Sequence, residues 1–534
     1  MVIPPASASG RFRLIRAILT VSLCLFLLWV ANPWHYYFLN DDFLAIPRVA
    51  NGQFIYGDLM RPVSDLTLWM DHFLWQKDPA GYHVTNLLIH LVNSILIFLL
   101  SREFVVRFGN EGQHVIMKPW LASLLFLLYS SHGEPLFWII GRGGSLGTLF
   151  CLVSCICLLR RDRSHWYPVI CLASFLLGLL TYESVWVFPL IATWLVLAAP
   201  GQPAGAETPG GLEKGRRAGS AGFLLAGIAG LFVLYLLFRR WETGAFAGAY
   251  ELRDLASGKP GRLFYNYNTL LARCMLPPMA DGKWFAGSYL FLLALLTAAL
   301  LLVSKRRKAG RLCLILAVGL LLALLPAIGL GIDTHTTESE RFIYLPSVFW
   351  VLLLVEGLSV LITRPAIFLR VCVLVILANG FGLWRTSLSY RFAGEVVQSS
   401  LSCIDAGGPG ETAGVDSSIL YARGLPSQYE GALIFRRGFE DAVHWMLPGY
   451  GRYAIRILSR TTLHERRDEL TCEESDPVRG LRSMHAVNLN RVPPGAGKPQ
   501  GEYLVDLGDT SFSFEPGKDQ MICWTDSSIL RFGR

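Results

Sequence analysis

What most constrains this chain is a series of apolar runs, each about as long as a bilayer's hydrocarbon core, recurring from the N-terminus to about Tyr390. A core about 30 Å thick is crossed by roughly 20 helical residues. Eleven runs meet or approach that length: 14–32, 84–104, 119–131, 135–159, 166–181, 184–199, 220–238, 284–303, 312–330, 345–362 and 366–385. With 53% hydrophobic and 16% charged residues in a chain of 534, ordinary soluble domains could not bury this much apolar surface. The predicted fold class is therefore mainly α: a polytopic membrane helix bundle of about 11 spans, with a small α+β extracytoplasmic domain at the C-terminus.

Charge orients the spans. Cytoplasmic loops carry the Lys and Arg excess. With Arg11, Arg13 and Arg16 inside, the expected inside connections hold Arg102, Arg107 and Lys118, then Arg160, Arg161 and Arg163, then Lys214, Arg216 and Arg217, then Lys305 to Lys308, then Arg364 and Arg370. The net charge of +8 thus reads as membrane orientation, and nucleic acid is not expected as a partner. One outside loop, 239–283, breaks the rule with Arg239, Arg240, Arg253, Lys259, Arg262, Arg273 and Lys283; it is either tolerated or recruits an anion. No small-x-small cleavage site follows the first run, which reads as a retained anchor. Most cysteines fall inside spans as small apolar residues. Cys274, Cys403, Cys472 and Cys523 are expected to face an oxidising compartment, with Cys472 and Cys523 as the candidate disulfide.

The long connections are on the outside: 33–83, 239–283 and everything after about 386. Two domains are expected, a membrane core over 1–390 and a soluble domain over 391–534. In the latter, 429–447 reads as an amphipathic helix, and the alternation Gly501-Glu502-Tyr503-Leu504-Val505-Asp506-Leu507 as a strand. Residues 200–219 read as a flexible inside linker.

Polar residues then mark the outer surface. Asp41 and Asp42 follow the first span, and Arg61, Asp65 and Asp71 lie in the same loop among Trp69, Phe73 and Trp75, the pattern of a helix lying on the membrane. His83, Asn86, His90 and Asn93 fall within about 80° of one helix face at 100° per residue. They serve either as glue between helices or as the wall of a polar cavity. Ser131-His132-Gly133-Glu134 precedes Arg142, placed about two turns into the next span, where an arginine requires an acidic residue or bound anion. The glycines 141, 143, 144 and 147 do not lie between a strand and a helix, which argues against a nucleotide loop. Tyr182-Glu183 and Thr334 to Arg341 complete the set.

In this order the motifs resemble a known family. The acidic pair after the first helix resembles the first-loop motif of GT-C superfamily glycosyltransferases. Arg61-Pro62-Val63-Ser64, Gly81-Tyr82-His83-Val84-Thr85-Asn86-Leu87-Leu88-Ile89-His90, His132 with Glu134, Gly141-Arg142, Glu183 and Glu340-Arg341-Phe342-Ile343-Tyr344-Leu345-Pro346-Ser347 resemble the membrane core of TMTC-type O-mannosyltransferases and their bacterial relatives. The likeness covers about residues 35–350. The tetratricopeptide repeats that such proteins carry at the C-terminus are absent here, although Leu425-Pro426-Ser427 opens a stretch similar to one in the bacterial relatives.

The resemblance implies a multi-pass protein of a bacterial inner membrane, N-terminus cytoplasmic, with its active face and C-terminal domain periplasmic. It implies transfer of a sugar from a polyprenyl-phosphate donor to a hydroxyl of a protein, lipid or glycan acceptor, with inversion. Asp41 is then the general base and Asp42 orients the acceptor or helps hold a metal. Arg341 or an arginine of 239–283 meets the phosphate charge, Arg142 and Glu134 shape the sugar pocket, and Arg61, His83, His132, Glu183, Glu340 and Tyr344 complete the substrate site. A divalent ion between Asp41 or Asp42 and His132 or His335 is chemically compatible, since carboxylate and imidazole are suitable ligands. A transporter or flippase of a lipid-linked or anionic substrate is the alternative, although no internal repeat accompanies the polar residues. A non-catalytic scaffold would leave Arg142 and the polar stripe with helix association alone.

Overall fold

The computed structural model describes residues 6–57, 59–108, 115, 117–198, 211–246, 260–304, 307–406 and 418–457, and the strands 460–466, 469–476, 480–482, 503–506, 511–514, 520–524 and 529–532. It divides into two compact units. One comprises Met1–Pro33, Gly52–Gln76 and Ala80–Ser387; the other comprises Trp34–Asn51, Lys77–Pro79 and Leu388–Arg534.

The first unit is helical. Among the described residues, eight helices have the length and composition to cross a membrane: Arg16–His35, Pro79–Arg107, Arg142–Arg160, Ala221–Thr243, Gly282–Leu302, Gly310–Ala327, Tyr344–Leu361 and Pro365–Asp405. Three shorter apolar helices, Met117–Leu127, Trp166–Leu179 and Glu183–Ala198, fall at the remaining three sequence runs. The chain is thus a mainly helical, multi-pass membrane protein. The Gly282–Leu302 helix buries only 6% of its most apolar window, leaving Leu290, Phe291 and Leu301 open for lipid to cover.

Two expectations about the spans need correction. The run 135–159 is not one helix: Gly133–Phe137 forms a short turn of helix, Trp138 is extended, and the long helix begins at Arg142. Arg142 therefore starts that helix instead of lying two turns inside it. The break leaves carbonyls that a bilayer cannot hydrate; Trp138 O accepts from Gly141 N at 3.1 Å and Ile139 O from Arg142 N at 3.2 Å, and the Asn86 side-chain amide adds donors to both at 3.0 Å and 3.3 Å. The last run is longer than 366–385, continuing as one helix from Pro365 to Asp405. Cys274, expected to face an oxidising compartment, is instead buried in the Pro260–Met275 helix.

The polar stripe of the Pro79–Phe108 helix acts as glue. His90 bonds Tyr344 Oη at 2.7 Å and the Leu127 carbonyl at 3.0 Å; Asn93 donates to Ser145 O at 2.8 Å and to Tyr344 Oη at 3.2 Å. These bonds draw three segments onto one helix face. Arg142, fully buried, finds the acidic partner its position demands in Asp71, 2.5 Å away, and also donates to Tyr82 O at 3.0 Å. Asp71 accepts a further bond from Thr85 at 2.7 Å. At the opposite ends of these helices Glu103 is held between Arg160 and Arg163, each at 2.7 Å, and Lys118 pairs with Glu356 at 2.8 Å.

The second unit holds the sheets. The Gln520–Trp524, Ile419–Arg423 and Ala454–Ile457 strands pair in parallel, flanked antiparallel by Ile529–Phe532. A five-stranded sheet runs Ala432–Leu433, Leu425–Tyr429, Arg460–Arg466, Glu469–Asp476, Gly480–Arg482. The expected helix over 429–447 is reduced to Phe439–Met446. Glu430 and Gly431 both take positive φ and close a two-residue hairpin, and Gly438 at φ +71° stops any earlier helical start. The Tyr503–Asp506 strand falls where alternation placed it. The side chains of Cys472 and Cys523, and residues 200–210 of the expected linker, lie outside the described residues, whereas the rest of that linker, expected to be flexible, is helical, opening the Gly211–Thr243 helix.

Removing Asp71 strands a buried guanidinium, at a cost of about 3–5 kcal/mol. Asp71→Ala is expected to lower the thermal midpoint of the purified protein, and adding Arg142→Met should recover part of the loss, read by melting both variants in one detergent.

Candidate functional site

At one end of the first unit three acidic side chains are buried, and each is met by arginine. Glu183, beginning a short 3-10 turn before the Phe188–Ala198 helix, lies 2.7 Å from Arg61 and 3.6 Å from Arg239. Glu134, in the short helix after His132, accepts the Arg341 backbone N–H at 2.8 Å and also the Arg341 guanidinium. Glu340 accepts from Arg273 at 2.7 Å, and both side chains are fully buried. Arg273 also donates to Asp333 O at 3.0 Å and Leu276 O at 2.8 Å, tying the Pro260–Met275 helix to the 333–340 segment. The Arg61–Glu183, Arg273–Glu340 and Arg341–Glu134 pairs join residues at least 67 apart in sequence.

The cations differ in access. Arg239 and Arg273 are fully buried, whereas Arg61 and Arg341 each leave 25% of the side chain exposed. Both exposed guanidinium groups lie over aromatic faces: Arg61 is 4.5 Å from the centre of the Tyr182 ring, and Arg341 is 4.7 Å from Phe342 and 5.4 Å from Trp138. A partly exposed arginine held by a carboxylate and a ring presents the planar guanidinium that suits a phosphate or carboxylate. The glycines at the start of the Arg142–Arg160 helix allow this closeness. A Cβ on Gly143 would come within 3.0 Å of the Tyr182 ring, and one on Gly144 within 3.0 Å of the Arg341 carbonyl.

Burial raises the carboxyls of Glu134 and Glu340. Glu340 is pushed up to about 7 by desolvation, which outweighs the lowering by Arg273, and Glu134 is raised by the same cause against the pull of Arg341. His132, buried and bonded to Ser347 Oγ at 2.8 Å, is held well below its usual value by desolvation and by neighbouring His90. Tyr344 is fully buried on His90 and Asn93, and His83 is buried on the same helix face. Arg142, expected beside Glu134, is instead tied to Asp71, and Glu134 belongs to Arg341.

The acidic pair lies in the second unit. Asp41 begins the Asp42–Ala50 helix and is half-buried. Asp42 is fully buried, and its Oδ2 accepts the Leu39 N–H at 2.9 Å, closing the turn that precedes the helix. Around it Phe38 packs 5.1 Å from Trp445, and Phe43 stacks at 6.2 Å on Phe435. Residues of 434–446 thus form the bed of the acidic motif, which sequence reasoning missed. Arg239 and Arg273 were visible only as part of the unusually basic 239–283 loop, which turns out to supply counter-charges for Glu183 and Glu340. Among the described residues no group of three or more His, Cys, Asp or Glu is placed to hold a metal ion.

Glu340 holds its proton to about 7 when folded and to an ordinary value near 4.5 when unfolded. The stabilisation is therefore complete below about pH 4.5 and lost as pH rises through about 7. The thermal midpoint of the wild type is expected to fall relative to Glu340→Gln between pH 5.5 and 8. Parallel melting curves for the two proteins would count against this assignment.

No family model matches the sequence. Mouse protein O-mannosyl-transferase TMTC4 is 27% identical over 356 residues, covering 56% of this chain and 47% of that protein. Human protein O-mannosyl-transferase TMTC3 is 27% identical over 124 residues, 23% of this chain and 13% of that protein. The chain thus spans less than half the length of the curated relatives it matches. Among solved structures, ArnT from Cupriavidus metallidurans in the apo state is 12% identical, covers 86% of this chain and 94% of that one, and superposes with a TM-score of 0.34; the same protein bound to undecaprenyl phosphate gives 0.32. Neither superposition is close enough to transfer a residue's position or role. Over more than half of its length this chain is similar to TMTC-type protein O-mannosyl-transferases, polytopic glycosyltransferases of the GT-C superfamily, which bears out the resemblance read from its ordered motifs.

Proposed function

We propose that this protein is a membrane glycosyltransferase that moves a sugar from a polyprenyl-phosphate donor to an acceptor hydroxyl, with inversion, on the outer face of a bacterial inner membrane. The observation that carries this is the pair of quarter-exposed arginines, Arg61 and Arg341, each backed by a buried carboxylate and an aromatic ring. The departing group is a phosphate monoester of a lipid alcohol. Its charge grows as the glycosidic bond breaks, and fixed guanidinium groups stabilise that growth without reorganising.

On the acceptor side Asp41 takes the hydroxyl proton as the oxygen attacks the anomeric carbon. The carbon–oxygen bond to phosphate breaks on the opposite face and polyprenyl phosphate leaves with the bonding pair. Asp41 is favoured over Asp42 as base because Asp42 is fully buried and committed to the Leu39 N–H. Asp42 then fixes the turn from which Asp41 projects. Glu183 and Glu134 hold the phosphate-binding arginines, while Glu340 fixes the segment preceding Arg341. Arg142, His83, His132 and Tyr344 brace the helices that carry these groups. The basic loops between spans support a cytoplasmic N-terminus and an outward active face. The names of the relatives make mannose the first sugar to supply.

The test supplies purified protein in nanodiscs with radiolabelled polyprenyl-phosphate sugars, mannose first, and protein, lipid and glycan acceptors. Wild type is expected to consume one donor, and Asp41→Asn to lose about 10²–10⁴-fold of the turnover while still binding that donor. Transfer by Asp41→Asn at the wild-type rate would remove the base assignment. Donor crossing the bilayer unconsumed would instead favour a flippase.

A further inference from the structure

Asp41 is carried on an unusual piece of backbone. Asn40, immediately before it, is 1% exposed and takes the left-handed conformation at φ +48°, which asparagine tolerates better than most side chains. Three polar groups of Asn40 are engaged. Its N–H donates to Ile434 O at 2.8 Å, its Oδ1 accepts the Arg437 N–H at 2.7 Å, and its carbonyl accepts from Phe43 N at 3.3 Å. That carbonyl lies so close to Gly438 that a Cβ there would stand 2.5 Å from it, at a backbone φ of +71°. On the other side of Asp41, the Asp42 carboxylate is fixed on Leu39 N–H. The carbonyl of Asp41 is taken by Ala45 N at 2.8 Å.

From this geometry we infer that Asn40 is a positioning residue for Asp41, and that the 434–438 segment of the C-terminal region acts through it to set the direction of the Asp41 carboxylate. The inference rests on Asp41 as the base. It gives the C-terminal region a part in the rate of the reaction, separate from recognition of an acceptor. The two requirements on position 40 are distinct: a left-handed backbone and a side-chain acceptor for Arg437 N–H. Aspartate keeps both, glycine keeps only the first, and alanine keeps neither. At Gly438 any side chain meets the Asn40 carbonyl.

The experiment uses the full chain in nanodiscs and, as probe, the polyprenyl-phosphate sugar that wild type turns over. Asn40→Ala and Gly438→Ala are expected to lower kcat by about a hundredfold, the order that a misplacement near 1 Å costs, with KM for the donor little changed. Asn40→Gly should fall between alanine and wild type, and Asn40→Asp should recover most of the loss with a shifted pH profile from the added carboxylate. A wild-type kcat in both alanine variants overturns the inference. So does a loss shared equally by kcat and donor affinity that Asn40→Asp fails to rescue, which would mark a purely structural role. Asp41→Asn, run alongside, separates the two claims: if it turns over normally, the base assignment falls; if it is inactive while the alanine variants work, only the positioning falls. Absence of turnover by wild type with any donor would overturn both.

Discussion

A charge inside a bilayer must bring its own counter-charge, and the first unit is organised around that requirement. Asp71 with Arg142, Glu356 with Lys118 and Glu340 with Arg273 are each buried on both sides. Replacing any such pair by apolar side chains could leave the fold as stable, whereas removing one member is costly. What these pairs supply is placement. Arg273 fixes Glu340, and the next residue, Arg341, reaches Glu134 through its backbone and its side chain. The left-handed turn at Ser339, φ +73°, precedes this crossing.

The contrast between buried and partly open arginines follows. Arg239 and Arg273 are fully buried, but Arg61 and Arg341, each paired with a carboxylate and stacked on a ring, stay a quarter exposed. An arginine fixed in this way loses little freedom on meeting an anion, so more of the contact appears as binding. Chemistry that generates a phosphate dianion benefits from such preorganisation.

Much of this was legible in the residues. Spans were visible because apolar length is a local property, and the need for an acid near Arg142 was visible because an unpaired cation at that depth is expensive. That the acid is Asp71 was not, since pairing depends on how a surface helix folds back over the bundle. The break before Arg142 was missed because Pro135 to Ile140 is as apolar as a continuous span, and the carbonyls at the break are met partly by Asn86 on another helix. The excess charge of 239–283 was seen, yet its use as counter-charge for Glu183 and Glu340 is a long-range fact. At the C-terminus, Gly431 and Gly438 carried the signal that 429–447 could not be one helix. No local pattern joins 434–438 to Asn40.

The most direct test is the affinity of the purified protein for polyprenyl phosphate against the same polyprenol without its phosphate, in wild type, Arg61→Met and Arg341→Met. Arginines preorganised for a leaving phosphate require wild type to prefer the phosphate by about a hundredfold, a difference near 2.7 kcal/mol, and each methionine variant to lose most of that preference. Equal affinity for the two lipids, or a preference untouched in both variants, would contradict a phosphate site built on Arg61 and Arg341.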